Sequence, residues 1–184
     1  MSCATGWWSA SLTPMSGMPA QPTMIEIVLD PDIPDAALPP PTRIREAVAQ
    51  TLRAVGFTNV ERASLTLRLS DDREVRALNR QWRKQDKPTD VLAFPWQHGP
   101  EYTLDEYLGD IALAIPFVIG EARRLELPPS DHLIHLIVHG TLHLVGYDHA
   151  EKEDEQQMRT KERAIMRALK LHDPFPTWEE EEAR

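Results

Sequence analysis

Residues 139–149 read HGTLHLVGYDH, in the pattern H-x3-H-x2-G-x2-H. His139 and His143 stand four apart. On a helix of about 3.6 residues per turn, two such side chains project from one face, one above the other. Two imidazoles so placed can reach one Zn²⁺, with nitrogens about 2.0–2.1 Å from the ion. Gly146 tolerates the positive φ of a tight turn, and that turn brings His149 back as a third ligand. Three protein ligands leave a fourth tetrahedral position open, which marks a catalytic site rather than a closed structural one. His139, His143 and His149 are therefore the expected ligands of one Zn²⁺ ion. His135, one turn earlier, is open to three readings: a fourth ligand, a partner behind the ligands, or a plain helix residue. Asp148 could orient a ligand imidazole or simply form the turn.

The second position of the motif is Gly140. Zinc proteases of the H-E-x-x-H type carry a Glu there, which takes a proton from zinc-bound water. Glycine cannot do so, and the site is a poor candidate for peptide hydrolysis. Phosphodiester cleavage makes a different demand, because negative charge concentrates in its transition state and positive charge answers it. Alternatively a carboxylate enters from elsewhere, with Asp110 and Asp86 as suspects. The stretch Arg73–Lys87, REVRALNRQWRKQDK, carries Arg73, Arg76, Arg80, Arg83, Lys84 and Lys87 at helical steps of three and four. One reading is a solvated face balanced by Asp71, Asp72, Glu74 and Asp86. The other is a phosphate-contacting surface beside the metal, to which the planar fork of arginine is suited.

The elements that must position these residues follow from periodicity. Met24–Asp30 and Ser64–Ser70 alternate as half-buried strands. Val91–Phe94 and Gly109–Ile115 are two further strands, separated by a loop over Trp96–Leu108. Thr42 is the expected N-cap of a helix to about Val55, and Asp71 or Asp72 caps one to about Arg83. Helices are also expected over Pro116–Leu125, Asp131–Leu144 and Glu151–Leu169. The Asp131–Leu144 helix carries the broadest apolar stripe. The expected class is α+β: a single domain with about four strands in a mixed sheet, about five helices, and a histidine helix like that of a zinc protease.

The chain has 184 residues, 41% hydrophobic and 27% charged, which suits one globular domain. No apolar run reaches the roughly 18–20 residues that span a bilayer. Cys3 is the one cysteine, so no intrachain disulfide forms, as suits a cytoplasmic protein. Residues 1–23 lack the basic and apolar regions of a signal peptide and are expected to be disordered. Residues 172–184 form an expected acidic tail, with the domain over 24–171. The net charge of −9 argues against a nucleic-acid binder unless a local basic face supplies the contacts.

Three stretches together resemble the YbeY-type rRNA maturation factors. HGTLHLVGYDH (139–149) matches that family's histidine motif, with glycine in second place. LNRQWRKQDKPTDVLAFP (78–95) and LGDIALA (108–114) match two further blocks. Ala93 stands where many members carry serine. The resemblance implies a single-domain, zinc-dependent endoribonuclease specific for single strands. It implies zinc on His139, His143 and His149, and a critical catalytic arginine at Arg83. It further implies action on RNA at the 3′ end of 16S rRNA, in ribosome quality control, with the small ribosomal subunit as partner. A monomer is expected. The nucleophile is open between water and the RNA 2′-OH. The rival readings are a zinc peptidase with an unusual base, and a zinc-stabilised ribosome-binding module with little turnover.

Overall fold

The computed structural model describes residues 25–34, 38–58, 60–96 and 107–175. The expectations for residues 1–23, for Cys3, for most of the Trp96–Leu108 loop and for the tail beyond 175 lie outside those residues.

The order of elements is β1 (Ile25–Leu29), α1 (Pro41–Ala54), β2 (Ser64–Ser70), α2 (Asp72–Arg83), β3 (Val91–Pro95), β4 (Tyr107–Ala114), α3 (Ile115–Arg124), α4 (Pro129–Leu144) and α5 (Lys152–Ala168). Four strands form one sheet in the order β1-β2-β4-β3. β1 pairs parallel to β2 and β2 parallel to β4, while β3 runs antiparallel to β4 and closes the edge. The sheet is mixed, the described residues form five α-helices around it, and the class is α+β, as the periodicity predicts.

Burial follows the strand period. Leu65, Leu67 and Leu69 of β2 are almost fully buried on one face. β4 is covered on both faces, so Ile111, Ala112, Leu113 and Ala114 read as one apolar run. One core joins the sheet to α1, α4 and α5. A smaller core on the other face joins Val75 and Leu78 of α2 to Leu92, Phe94, Ala114 and Phe117.

The helix starts differ from expectation at two places. Thr42 is not a cap, because α1 begins at Pro41 and Pro40 precedes it with no side-chain cap. α4 likewise begins at Pro129 rather than Asp131. Proline suits the first helical position, since its φ is preset and the N–H it lacks would have no intrahelical partner. α2 is capped as expected: the Asp71 carboxylate accepts from the Glu74 N–H at 2.8 Å.

α4 is the central helix, in contact with the sheet, α1, α3 and α5. Its close approach to the sheet runs through Gly140. A Cβ there would lie 3.0 Å from two carbons of Ile111, whose side chain is fully buried on β4. A side chain at this position would press on Ile111, whose side chain would have to give by a few tenths of an ångström.

Gly140→Ala gains helix propensity of about 0.8–1 kcal/mol but overpacks Ile111 at a cost of about 1–3 kcal/mol. A net loss of stability in urea unfolding is expected, and a gain would contradict this account of the helix–sheet contact.

Candidate metal centre and its cavity

α4 carries His135, His139 and His143 at four-residue steps on one face. The helix ends in a paired closure around Gly146, which has φ 91°. Gly146 N–H donates to the His143 carbonyl at 3.1 Å, and Tyr147 N–H donates to the Leu142 carbonyl at 3.0 Å. The chain then doubles back. His149 comes to lie with its ring centroid 5.0 Å from His143 and 5.6 Å from His139.

The three imidazoles converge. His139 Nε2 and His143 Nε2 are 3.1 Å apart. One ring nitrogen from each of the three histidines lies within 4.8 Å of the others. A tetrahedral ion bound at about 2.0–2.1 Å separates its ligand nitrogens by about 3.3 Å, so this spacing fits a single metal ion. Burial first, then the neighbouring His139 and His149, lowers the His143 pKa to about 4. The ring is therefore neutral at neutral pH, the form that ligates a metal.

Behind the cluster stands Glu162 of α5, with 2% of its surface exposed. Its Oε1 lies 2.8 Å from His139 Nδ1. Burial alone would push this carboxyl up, but the imidazoles of His135 and His139 hold it down at about 2. An ionised carboxylate only accepts, so the His139 proton sits on Nδ1 and the Nε2 lone pair faces the cluster. His135 Nε2 lies 3.4 Å from the same oxygen. His135 thus stands behind the cluster, beside the carboxylate that orients His139. Asp148 accepts the His149 backbone N–H at 2.8 Å and lies 4.0 Å from His143 Nδ1. It shapes the turn rather than hydrogen-bonding a cluster imidazole.

Neither suspected carboxylate reaches the site. Asp86 accepts from Arg76 at 2.8 Å on the exposed side of α2, and Asp110 accepts from the Tyr107 hydroxyl at 2.6 Å within β4. The carboxylate that hydrogen-bonds a cluster imidazole, Glu162, is not one that the sequence spacing points to. A signal existed: Met158, Ile165, Met166 and Leu169 form the buried stripe of α5, and Glu162 falls within that stripe at helical spacing.

The cluster opens into a cavity of about 730 Å³ between α4, β3 and α5. Arg83, at the C-terminal end of α2, lines it together with His139, His143 and His149. Arg83 is exposed and has no ion pair among the described residues. The rest of the basic stretch is divided. Arg73 pairs with Asp71 at 2.9 Å and Arg76 with Asp86 at 2.8 Å. With Arg80 they border a separate shallow groove. The cavity gains a second arginine that spacing did not reveal, Arg159 of α5, which pairs with Glu155 and lies 4.9 Å over the Phe175 ring. Of the expected tail, residues 172–175 lie against α4 and α5: Arg163 donates to the Phe175 carbonyl at 2.7 Å, and the Phe175 ring sits 5.9 Å from His135.

Glu162→Gln is expected to weaken Zn²⁺ binding about 10–100-fold, read by competition with a chromogenic chelator. Unchanged affinity would mean that the carboxylate does not govern the cluster.

The chain is similar to known proteins over most of its length. The family described as "Endoribonuclease YbeY" matches residues 37–170. The endoribonuclease YbeY of Azorhizobium caulinodans is 41% identical over 141 residues, covering 76% of this chain and 89% of that one. The namesake of Alkalilimnicola ehrlichii is 43% identical over 143 residues, covering 76% and 84%. The solution structure of TM1509 from Thermotoga maritima is 25% identical, with a TM-score of 0.49 over 82% of this chain and 98% of that one. The family match over residues 37–170 and the two curated relatives, with the glycine-bearing histidine motif inside the matched region, lead to one assignment: the chain belongs to the endoribonuclease YbeY family.

Proposed function

We propose that this chain is a zinc-dependent endoribonuclease specific for single-stranded RNA. It acts in rRNA maturation at the 3′ end of 16S rRNA and in ribosome quality control, as a cytoplasmic monomer that meets the small ribosomal subunit. The observation that carries this reading is the shared cavity. Three convergent imidazoles and one arginine without an ion pair among the described residues line the same space in a chain of this family.

His139, His143 and His149 hold the ion. When bound, zinc supplies a Lewis acid that neutralises charge on a phosphate oxygen and acidifies water. The chain's own groups do the rest. Arg83 presents a planar fork of N–H donors to the phosphate, and its charge strengthens these hydrogen bonds as negative charge grows in the transition state. Glu162 keeps the His139 proton on Nδ1 and the ring in one orientation. Gly140 leaves no carboxylate at the protease position, and a Cβ there would press on the Ile111 side chain. The net charge of −9 is partly answered within the cavity, where Glu155 pairs with Arg159 and Glu162 is engaged by His139, while Arg83 has no ion pair among the described residues.

The test is cleavage of a structured rRNA fragment by wild type, His143→Ala and Arg83→Ala, prepared by one scheme with zinc measured on each. Both variants are expected to lose cleavage by about 10²-fold or more, with zinc lost only from His143→Ala. Equal cleavage by all three would mean that the activity is a contaminant, and would leave a zinc-stabilised binding module.

A further inference from the structure

β3 is the edge of the sheet and also a wall of the cavity. Its free side can be read residue by residue. Ala114 N–H donates to the Asp90 carbonyl at 2.9 Å, and Trp96 N–H donates to the Leu108 carbonyl at 3.0 Å. The register between these bonds pairs Leu92 with Ala112 and Phe94 with Asp110. In an antiparallel ladder, alternate residues turn both backbone groups toward the partner strand. Residues 90, 92, 94 and 96 therefore face β4. Val91, Ala93 and Pro95 turn their backbone groups away from it.

Three N–H positions could lie on that free edge, and two are silent. The Val91 N–H is taken by the Asp90 carboxylate at 2.9 Å. Pro95 has no N–H. Such devices protect an edge strand from pairing with other chains. Ala93 is left with both groups free: its N–H and C=O point the same way, with no partner among the described residues. Val91, Ala93 and Pro95 all line the cavity that holds Arg83 and the three histidines. One donor and one acceptor, side by side, are presented where a substrate must lie.

We propose that Ala93 is a base-binding subsite, whose N–H and C=O hydrogen-bond the Watson–Crick edge of one unpaired nucleobase. This rests on the ribonuclease reading above and deepens it. Every base carries a donor next to an acceptor on that edge, so the subsite accepts any base. In a duplex the same edge is occupied by the opposite strand. The subsite thus selects for strandedness rather than for sequence, as recognition of unstacked bases requires. Arg83, in the same cavity, supplies the phosphate contact, so one nucleotide is held at two points. An extended peptide could use the same pair of groups by strand addition, but the neighbouring arginine favours a phosphodiester.

The test uses the zinc-loaded full chain and two labelled oligonucleotides, oligouridine and its N3-methyluridine counterpart. The methyl group blocks the donor of the base edge without adding charge. Wild type should bind the methylated strand about 5–10-fold more weakly, the effect of one or two hydrogen bonds. Ala93→Pro removes the N–H at a position that gives no bond to the ladder, where an edge strand tolerates proline. With melting temperature and zinc content unchanged, it should bind oligouridine more weakly than wild type does, because the bond from the Ala93 N–H to the base acceptor is gone while the C=O remains. Ala93→Ser keeps the N–H and should restore the wild-type affinity. Equal binding of both oligonucleotides by wild type would overturn the proposal, and so would wild-type affinity for oligouridine in a folded Ala93→Pro. If Ala93→Pro does not fold, the wild-type comparison decides alone. Wild type that neither binds nor cleaves RNA, but binds an unstructured peptide through Ala93, would instead overturn the ribonuclease reading and assign the edge to a peptide.

Discussion

The hydrogen bond between Glu162 and His139 is the constraint on which the rest of the site depends. A carboxylate with 2% exposure has lost its water and needs compensation within the protein. It finds this in the Nδ1–H of His139 at 2.8 Å and in the nearby His135. The bond ties α5 to α4, fixes the tautomer of His139 and aims its lone pair at the other two histidines. Breaking a buried charged pair from one side costs about 3–5 kcal/mol, because the other charge is left without a partner. The helical half of the cluster is therefore anchored by the fold, and the turn after α4 adds His149 to it.

Around that bond the fold builds two walls. α4 lies on the sheet at the distance Gly140 allows, so its histidine face looks along the surface toward the edge strand. β3 runs antiparallel on that edge and turns Ala93 toward the same space. α2 packs on the opposite face of the sheet through Val75 and Leu78, yet its last residue, Arg83, reaches the cavity. Histidine cluster, guanidinium and strand edge thus come from three layers of one domain. No helix among the described residues is long and apolar enough to cross a membrane.

Much of this is legible in the sequence where the cause is local. β2 spans Ser64–Ser70, the alternating run itself. α2 ends at Arg83, and α4 ends just before the glycine that turns the chain toward His149. The histidine cluster is legible because two members stand at helical spacing and the third lies in the same short motif, whereas spacing offers Arg83 only as one of six cations over residues 73–87. What depends on distant pairing is not legible. Glu162 meets His139 across 23 positions, and its only local sign is a charge in an apolar stripe. The ladder parity that frees Ala93 follows from pairing with β4, which no property of β3 alone announces. Asp86 and Asp110 look plausible by proximity in sequence, but Arg76 and Tyr107 have already engaged them. Thr42 loses the cap of α1 to a proline pair whose preset φ starts the helix earlier.

The central claim is an open, three-imidazole metal centre oriented by Glu162. X-ray absorption at the zinc edge, on protein loaded with one equivalent of Zn²⁺, tests it most directly. The account predicts three imidazole nitrogens and one oxygen, all at about 2.0–2.1 Å. A fourth imidazole in place of the oxygen would close the site and contradict it, and so would a six-coordinate shell of oxygens.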